Sequence, residues 1–227
     1  MSDSTTDTAK APLVIGVVLF DNVFTLDWVG PATYLELLPM IGVPVKFVTI
    51  SNKTGRIQDD TKVSLHALVH YKDAPDHLDI VLVPGGRGRV NVEKDPEFLA
   101  YIAKVTTTAT YVLSVTTTAK YVMSVCTGSS TLAAAGVLAG KRATTNKMYF
   151  TQIATAHPTT EWVPQARWVV DGKWWTGSGV SAGLDMGNAF IRAVYGDEHA
   201  DEMARYIESV PNKDPSNDPF VGSIKPN

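Results

Sequence analysis

The feature that most constrains the fold is the segment Tyr121 to Gly136, YVMSVCTGSSTLAAAG, which contains the only cysteine of the chain, Cys126. An apolar, β-branched run stops at a Cys-Thr-Gly-Ser turn, and an Ala- and Leu-rich helical pattern follows at once. This order predicts a strand, a tight turn and a helix. A nucleophile elbow has the same layout, with the reactive side chain on a strained bend at the end of a strand.

Cys126 has two interpretations. A single cysteine is commonly a buried, unreactive hydrophobic residue. At the start of a helix, however, free N–H groups and the helix dipole stabilise an anion, which lowers the pKa of a thiol. Because of this position we favour Cys126 as a nucleophile with a lowered pKa.

The rest of the chain alternates between predicted strands and helices. Strands are predicted over residues 13–20, 43–50, 62–69, 79–86 and 140–145, with a hairpin over 162–176. Helices are predicted over residues 26–38, 95–103, 148–156, 181–195 and 197–207, with Asp95 as an N-cap and Pro31 tolerable only in a first turn. This alternation predicts one α/β domain with a mostly parallel sheet and helices on both faces.

A tandem duplication precedes the cysteine. Residues 106–115 read TTTATYVLSV and residues 116–125 read TTTAKYVMSV. Two copies are too few for a repeat architecture, so a local duplication explains them better. We expect the second copy to form the strand before Cys126, and the first to be extruded or absorbed into the preceding helix.

Length and charge exclude several classes of protein. A chain of 227 residues is enough for one well-buried domain, which we place at residues 13–208 after a disordered leader, 1–12. Residues 209–227, rich in Pro, Asp and Asn, are expected to form an irregular surface arm or dimer strap. A net charge of −3 argues against a nucleic-acid binder, and no apolar run approaches membrane-spanning length.

The cysteine count also bears on compartment and metal content. One cysteine excludes an intramolecular disulfide and a Cys-based zinc site, and it suits the reducing cytoplasm. His66 and His70 have i,i+4 spacing, which joins metal ligands on a helix, but their segment has a strand pattern. We therefore predict no metal site. The lack of an apolar run of membrane-spanning length predicts no membrane partner.

Two further segments carry candidate site residues. Asp27 follows the first predicted strand between Leu26 and Trp28, where desolvation would raise its pKa and favour a protonated acid; alternatively, it caps the following helix. Gly85 and Gly86 end another buried strand, where they form either a plain turn or a backbone that lets amides approach a ligand.

Four segments together resemble one family, the ThiJ/PfpI superfamily, and within it the isonitrile (isocyanide) hydratase branch. They are IGVVLFDNVFTLDWVGP, LDIVLVPGG, YVMSVCTGSSTLAAAGVLAGKRATT and DGKWWTGSGVSAGLDMG. The resemblance implies a flavodoxin-like three-layer α/β sandwich, a homodimer, no cofactor, and a cysteine at the elbow whose thiolate bonds a protonated acid.

The resemblance also implies roles for individual residues. Cys126 is the nucleophile and Asp27 the acid, while the Thr127 hydroxyl orients the thiolate or a water. Gly85 and Gly86 supply amides beside the thiolate, as in an oxyanion hole.

One position departs from the family pattern. After GKRATT, where similar hydratases have a histidine, this chain has Asn146, which we expect to line the pocket and affect substrate choice.

The resulting hypothesis is a lyase that converts a small, uncharged, electrophilic isonitrile to an N-substituted formamide through a thioimidate on Cys126. Two alternatives stay open: a glutathione-independent glyoxalase or deglycase, and a non-enzymatic redox-sensing or chaperone-like dimer in which Cys126 is oxidised.

Overall fold

A mostly parallel sheet forms the centre of the protein, as the alternating pattern predicted. The computed structural model describes residues 11–58, 64–107 and 119–226. The strands within these ranges are β1 (Leu13–Val18), β2 (Val45–Ser51), β3 (Gly55–Ile57), β4 (Leu65–Ala67), β5 (Val69–His70), β6 (Ile80–Val83), β7 (Tyr121–Ser124), β8 (Arg142–Ala143), β9 (Glu161–Trp162), β10 (Trp168–Asp171) and β11 (Trp174–Gly177). Seven of them form one sheet in the order β10-β11-β7-β6-β1-β2-β5, in which β10 alone runs antiparallel to its neighbour.

Helices surround this sheet. They are α1 (Thr25–Glu36), α2 (Arg89–Val92), α3 (Pro96–Thr106), α4 (Gly128–Ala134), α5 (Phe150–Ala156), α6 (Ala182–Tyr195) and α7 (Asp197–Tyr206) in the described part of the chain. Short 3-10 segments cover Leu38–Ile41, Tyr71–Asp73, Lys147–Tyr149 and Val221–Ser223. No helix in the described ranges is long and apolar enough to cross a membrane.

The connections between strands explain where a site forms. From β1 the chain passes through α1 to β2 on one side, whereas β6 leads through α3 to β7 on the other side. Right-handed crossovers in opposite directions place α1 and α3 on opposite faces of the sheet. The direction of the chain therefore switches between β1 and β6, and ligands of open α/β sheets bind at the carboxyl ends of strands at such a switch.

The central strands are buried because helices cover both of their faces. Every residue of β6 is buried, and the inner part of β1 is equally inaccessible, as the continuous apolar runs predicted. The predicted N-cap is also confirmed, since the Asp95 carboxylate accepts a hydrogen bond of 3.0 Å from the N–H of Phe98.

The prediction for Pro31 was wrong, because this residue lies in the interior of α1 and not in its first turn. Two glycines of α6 pack directly against it. A Cβ atom at Gly183 would lie 3.1 Å from the Pro31 ring, and one at Gly187 would lie 3.1 Å from the Pro31 Cα. This close packing of α6 on α1 offsets the missing helical hydrogen bond.

The predicted strand over 62–69 is divided in the structure. β4 pairs antiparallel with β3, whereas β5 joins the edge of the main sheet beside β2. Leu68 separates the two, with its N–H bonded to the carbonyl of Thr49. Residues 62 and 63 lie outside the described residues.

The second copy of the duplication supplies β7, which pairs with both β6 and β11. The first copy spans residues 106–115, of which Thr106 is the last residue of α3. The rest of the prediction for this copy falls on residues 108–115, which lie outside the described residues, as does the predicted leader up to residue 10. Ala119 donates a hydrogen bond of 3.2 Å to the carbonyl of Val105. The chain therefore enters β7 next to the end of α3.

The C-terminal arm, residues 209–226, lies against its own domain. Asp218 is buried, and the N–H of Arg167 donates to the carbonyl of Pro215. The other described residues of the arm are exposed or half-buried and irregular except for the 3-10 turn, as expected for a surface arm. Asp218 alone departs from this expectation, and its carboxylate lies near the buried cations described below.

Candidate active site

Three loops meet at the carboxyl ends of β1, β6 and β7. They carry Asp27 at the start of α1, Gly85 and Gly86 after β6, and Cys126 after β7. The first two loops are joined twice, since Phe24 N–H donates to the Gly85 carbonyl at 2.9 Å and Gly85 N–H donates to Asp27 Oδ2 at 2.9 Å. Residues almost a hundred positions apart in sequence thus form one site.

Cys126 occupies a strained elbow, as predicted. Its backbone φ is +58°, in the left-handed region that non-glycine residues rarely adopt. The turn is tight because Gly128 lies against β6, where any Cβ atom would overlap the carbonyl oxygen of Val83. The Cys-Thr-Gly sequence therefore forms the elbow, with the glycine required by this close approach.

Asp27 does not cap α1, which was the alternative interpretation of this residue. Phe24 occupies the N-cap position of α1, and the Asp27 carboxyl is buried with 1% exposure. Burial raises its pKa from 3.8 to about 7, against smaller opposing effects of the bonds to Gly85 and Cys126. Oδ1 is buried and has no conventional hydrogen-bond partner among the described residues, so the Cys126 side chain is the other group that interacts with this carboxyl.

The thiol pKa moves in the direction opposite to our prediction. Burial and the charge of Asp27 raise the pKa of Cys126 to about 12. The Thr127 N–H and the Asn146 side chain oppose this rise but do not overcome it. The raised pKa of the thiol favours a protonated sulfur at neutral pH, and the Asp27 carboxyl, with a pKa of about 7, is the neighbouring group that can accept this proton.

Asn146 contacts the Cys126 sulfur directly. Its Nδ2 lies 3.3 Å from Cys126 Sγ, and its Oδ1 accepts a hydrogen bond from Met148 N–H at 3.0 Å. The second bond orients the amide so that its NH₂ group faces sulfur. Thr145 holds the same segment to the elbow, because its hydroxyl donates to the Cys126 carbonyl at 3.0 Å.

The oxyanion-hole role of Gly85 and Gly86 stays a prediction, and the structure shows which side chains their amides contact. The Gly85 amide is bonded to Asp27, and the Gly86 amide donates to Thr127 Oγ1 at 3.2 Å. Both amides therefore donate hydrogen bonds to side chains of the site. A Cβ atom at Gly85 would lie 2.5 Å from Thr127 Oγ1 and 3.0 Å from Asp27 Oδ2, so this close approach requires glycine.

The sequence analysis missed a group of apolar side chains beside the site residues. Phe24 and Leu26 precede Asp27, Met148 and Tyr149 follow Asn146, and all four are exposed. Apolar residues next to the N-cap of α1 and beside a predicted pocket residue were the available signal.

Comparison with known proteins identifies the family. The model of the DJ-1/PfpI family matches residues 14–193, which is most of the chain. The chain belongs to the DJ-1/PfpI family. A curated relative, an isonitrile hydratase of Pseudomonas putida, is 34% identical over 203 residues, which are 88% of this chain and 79% of the relative.

Solved structures of this DJ-1/PfpI family share the fold. A ThiJ/PfpI family protein of Pseudomonas syringae has a TM-score of 0.74 and 25% identity, covering 93% of this chain and 83% of that chain. DJ-1 of Schizosaccharomyces pombe has a TM-score of 0.67 at 16% identity, covering 87% and 100% of the two chains. The predicted α/β fold is thus confirmed, and the resemblance inferred from four sequence segments is correct.

Proposed function

We propose that this protein is an isonitrile hydratase, which converts an isonitrile to an N-substituted formamide. The observation that carries the proposal is the buried Asp27 carboxyl, with a pKa of about 7, interacting with the Cys126 thiol. A relative with this activity in its name is 34% identical over most of the chain. The exposed apolar residues support a small, uncharged, hydrophobic substrate.

In the first step, sulfur attacks the terminal carbon of the isonitrile. The S–H proton passes to the Asp27 carboxylate and from there to the same carbon. S–C and C–H bonds form, the S–H bond breaks, and the C–N triple bond becomes a double bond. The product is a thioimidate on Cys126, and no oxidant or reductant is needed.

In the second step, water resolves the thioimidate. The water oxygen bonds to the carbon, while one water proton passes through Asp27 to the nitrogen. The C–S bond then breaks and the remaining hydroxyl proton returns to sulfur, which releases the formamide and the thiol. One acidic group with a pKa near neutrality serves both steps, because it can accept and donate protons at working pH.

The other site residues act on the charge and geometry of this pair. Asn146 Nδ2 and the Thr127 N–H donate toward sulfur and stabilise negative charge as the proton leaves it. Gly85 orients Asp27, and Gly86 fixes the Thr127 hydroxyl. We assign these four residues to positioning and charge stabilisation.

Neither alternative function gains a supporting observation. A glyoxalase or deglycase of this family would use a histidine beside the thiol, whereas the polar partners of the Cys126 thiol among the described residues are Asp27, Thr127 and Asn146. A redox sensor requires an exposed thiol with a low pKa. Cys126 has 7% exposure and a raised pKa.

The proposal includes a homodimer in the cytoplasm, where a single cysteine stays reduced. The single cysteine and the family resemblance support these two statements. Light scattering of the purified protein tests the dimer, and a monomeric mass would contradict it.

A turnover assay tests the function. An aryl isonitrile is incubated with wild type, Cys126→Ala, Asp27→Asn and a control, Glu36→Gln, which alters an exposed carboxylate of the same helix. Formamide should form with wild type and the control and should be lost with the two site variants. Absence of turnover by wild type, or full turnover by Cys126→Ala, would refute the proposal. Lactate formation from methylglyoxal would favour the glyoxalase instead.

A further inference from the structure

A buried ionic cluster includes Lys147, the residue that follows Asn146 in the chain. Lys147 and Arg167 are both buried, and their acidic partners are Asp185 and Asp218, which are buried as well. Lysine and arginine are almost never fully buried without partners. The chemistry proposed for Cys126 and Asp27 uses none of these four residues, so the cluster needs a separate explanation.

Lys147 is held by three contacts. Its Nζ donates to Thr144 Oγ1 at 2.8 Å and to the Ala166 carbonyl at 2.7 Å, and it lies 3.6 Å from Asp218 Oδ2. Burial lowers the pKa of Lys147 to about 8, and the charge of Asp218 opposes this change. The Asp218 carboxylate therefore favours the charged form of the buried lysine and helps to hold its side chain in place.

Asp218 is supplied by the C-terminal arm, far from Lys147 in sequence. Its N–H donates to the Gln165 carbonyl at 3.1 Å, and its Oδ1 lies 3.9 Å from Nη1 of Arg167. Arg167 is already bonded to Asp185 through Nε at 2.8 Å. Without Asp218, Lys147 would have no acidic partner among the described residues, which is costly because an unpaired buried charge has lost its hydration.

The cluster is coupled to the nucleophile through a short segment. Lys147 follows Asn146 in the chain, and Thr145 precedes it. Thr145 is bonded to the Cys126 carbonyl, and Asn146 donates to Cys126 Sγ. Thr145 and Asn146 therefore contact the elbow, whereas the flanking residues Thr144 and Lys147 belong to the buried polar cluster. A displacement of Lys147 would move the Asn146 amide relative to sulfur.

We propose that Asp218 of the C-terminal arm is a positioning residue that, through Lys147, holds the Asn146 amide against the Cys126 sulfur. The catalytic meaning of this inference rests on the proposed function. The contact itself concerns only the reactivity of the thiol, so it is testable without an isonitrile.

The test is a double-mutant cycle read by the rate of Cys126 alkylation with iodoacetamide at mildly alkaline pH. The four proteins are wild type, Asp218→Asn, Asn146→Ala and the double variant. Asp218→Asn should slow alkylation about fivefold, the effect of losing one hydrogen bond to the developing thiolate. In the Asn146→Ala background, Asp218→Asn should have no further effect.

The matched control is Asp214→Asn. Asp214 is an exposed acid of the same arm, and its side chain accepts hydrogen bonds only from Ser216 among the described residues. It should leave the alkylation rate unchanged. If circular dichroism shows that Asp218→Asn is unfolded, the same cycle is measured with Lys147→Met in its place. This change removes the buried ammonium that Asp218 contacts and leaves Asp218 paired with Arg167.

Two results would overturn the inference. Equal slowing by Asp218→Asn in both backgrounds would show an effect that does not pass through Asn146. An unchanged rate in the single variant would show that the arm does not affect the thiol. Failure of the proposed function has a different signature, namely absence of formamide from wild type, whatever the alkylation rates are.

Discussion

Replacement of Asp27 by asparagine should remove a stability cost that wild type bears above neutral pH. The pKa of this carboxyl is raised from 3.8 to about 7 by burial. A raised acid pKa stabilises the fold fully below the unfolded value, and the contribution is lost as pH rises through the folded value. At about 1.36 kcal/mol per pKa unit, the loss between about pH 4 and about pH 8 is about 4 kcal/mol.

Asparagine retains the geometry of the neutral acid. Its carbonyl oxygen can accept the hydrogen bond from the Gly85 N–H, and its NH₂ group can face Cys126. The variant therefore lacks the charge without losing the contact. Because the charge of Asp27 raises the pKa of Cys126, the thiol of the variant should also titrate at lower pH, which thiolate absorbance in the ultraviolet reports.

Urea unfolding followed by tryptophan fluorescence across this pH range measures the effect. The free energy of unfolding of Asp27→Asn, relative to wild type, should increase with pH by up to about 4 kcal/mol. Glu36→Gln replaces an exposed residue of the same helix, so its free energy of unfolding should depend on pH in the same way as that of wild type. If the free energies of unfolding of wild type and Asp27→Asn depend on pH in the same way, the raised pKa on which the mechanism depends is refuted.

Three further predictions concern activity. In wild type, kcat/KM for an isonitrile should rise with pH through about 7 and then level off, because the Asp27 carboxylate must accept the Cys126 proton; a decrease over this range would contradict the assignment. Gly85→Ala should lower kcat/KM by about hundredfold, since the added Cβ displaces the acid, and retention of full activity would contradict the close approach. Thr127→Val removes the acceptor of the Gly86 N–H and should lower kcat/KM about tenfold, with unchanged kinetics as the contradicting result.

Sequence patterns predicted the strands, the turn and the helix cap that depend on residues close together in the chain. The apolar runs at residues 13–20 and 79–86 identified buried strands, and the Cys-Thr-Gly-Ser turn identified the elbow. The Asp95 cap was predicted because its bond to Phe98 spans three residues. The position of Pro31 was not, since only the glycines of α6 make it tolerable there.

Long-range contacts determine what the sequence did not reveal. The sequence did not reveal that the Gly85 and Gly86 amides donate to the side chains of Asp27 and Thr127, which lie far from them along the chain. The helix-start argument predicted a lowered pKa for Cys126. It failed because the desolvation of the thiol and the neighbouring carboxylate, both products of tertiary packing, outweigh the donors at this short helix.

The central claim is that Cys126 forms a covalent bond to the isonitrile carbon during turnover. Intact-protein mass spectrometry after acid quenching of the reaction tests it most directly. The account predicts a mass increase equal to one isonitrile molecule, located on the peptide that contains Cys126 and absent from Cys126→Ala. Formamide formation by Cys126→Ala, or an adduct on a different residue, would contradict it.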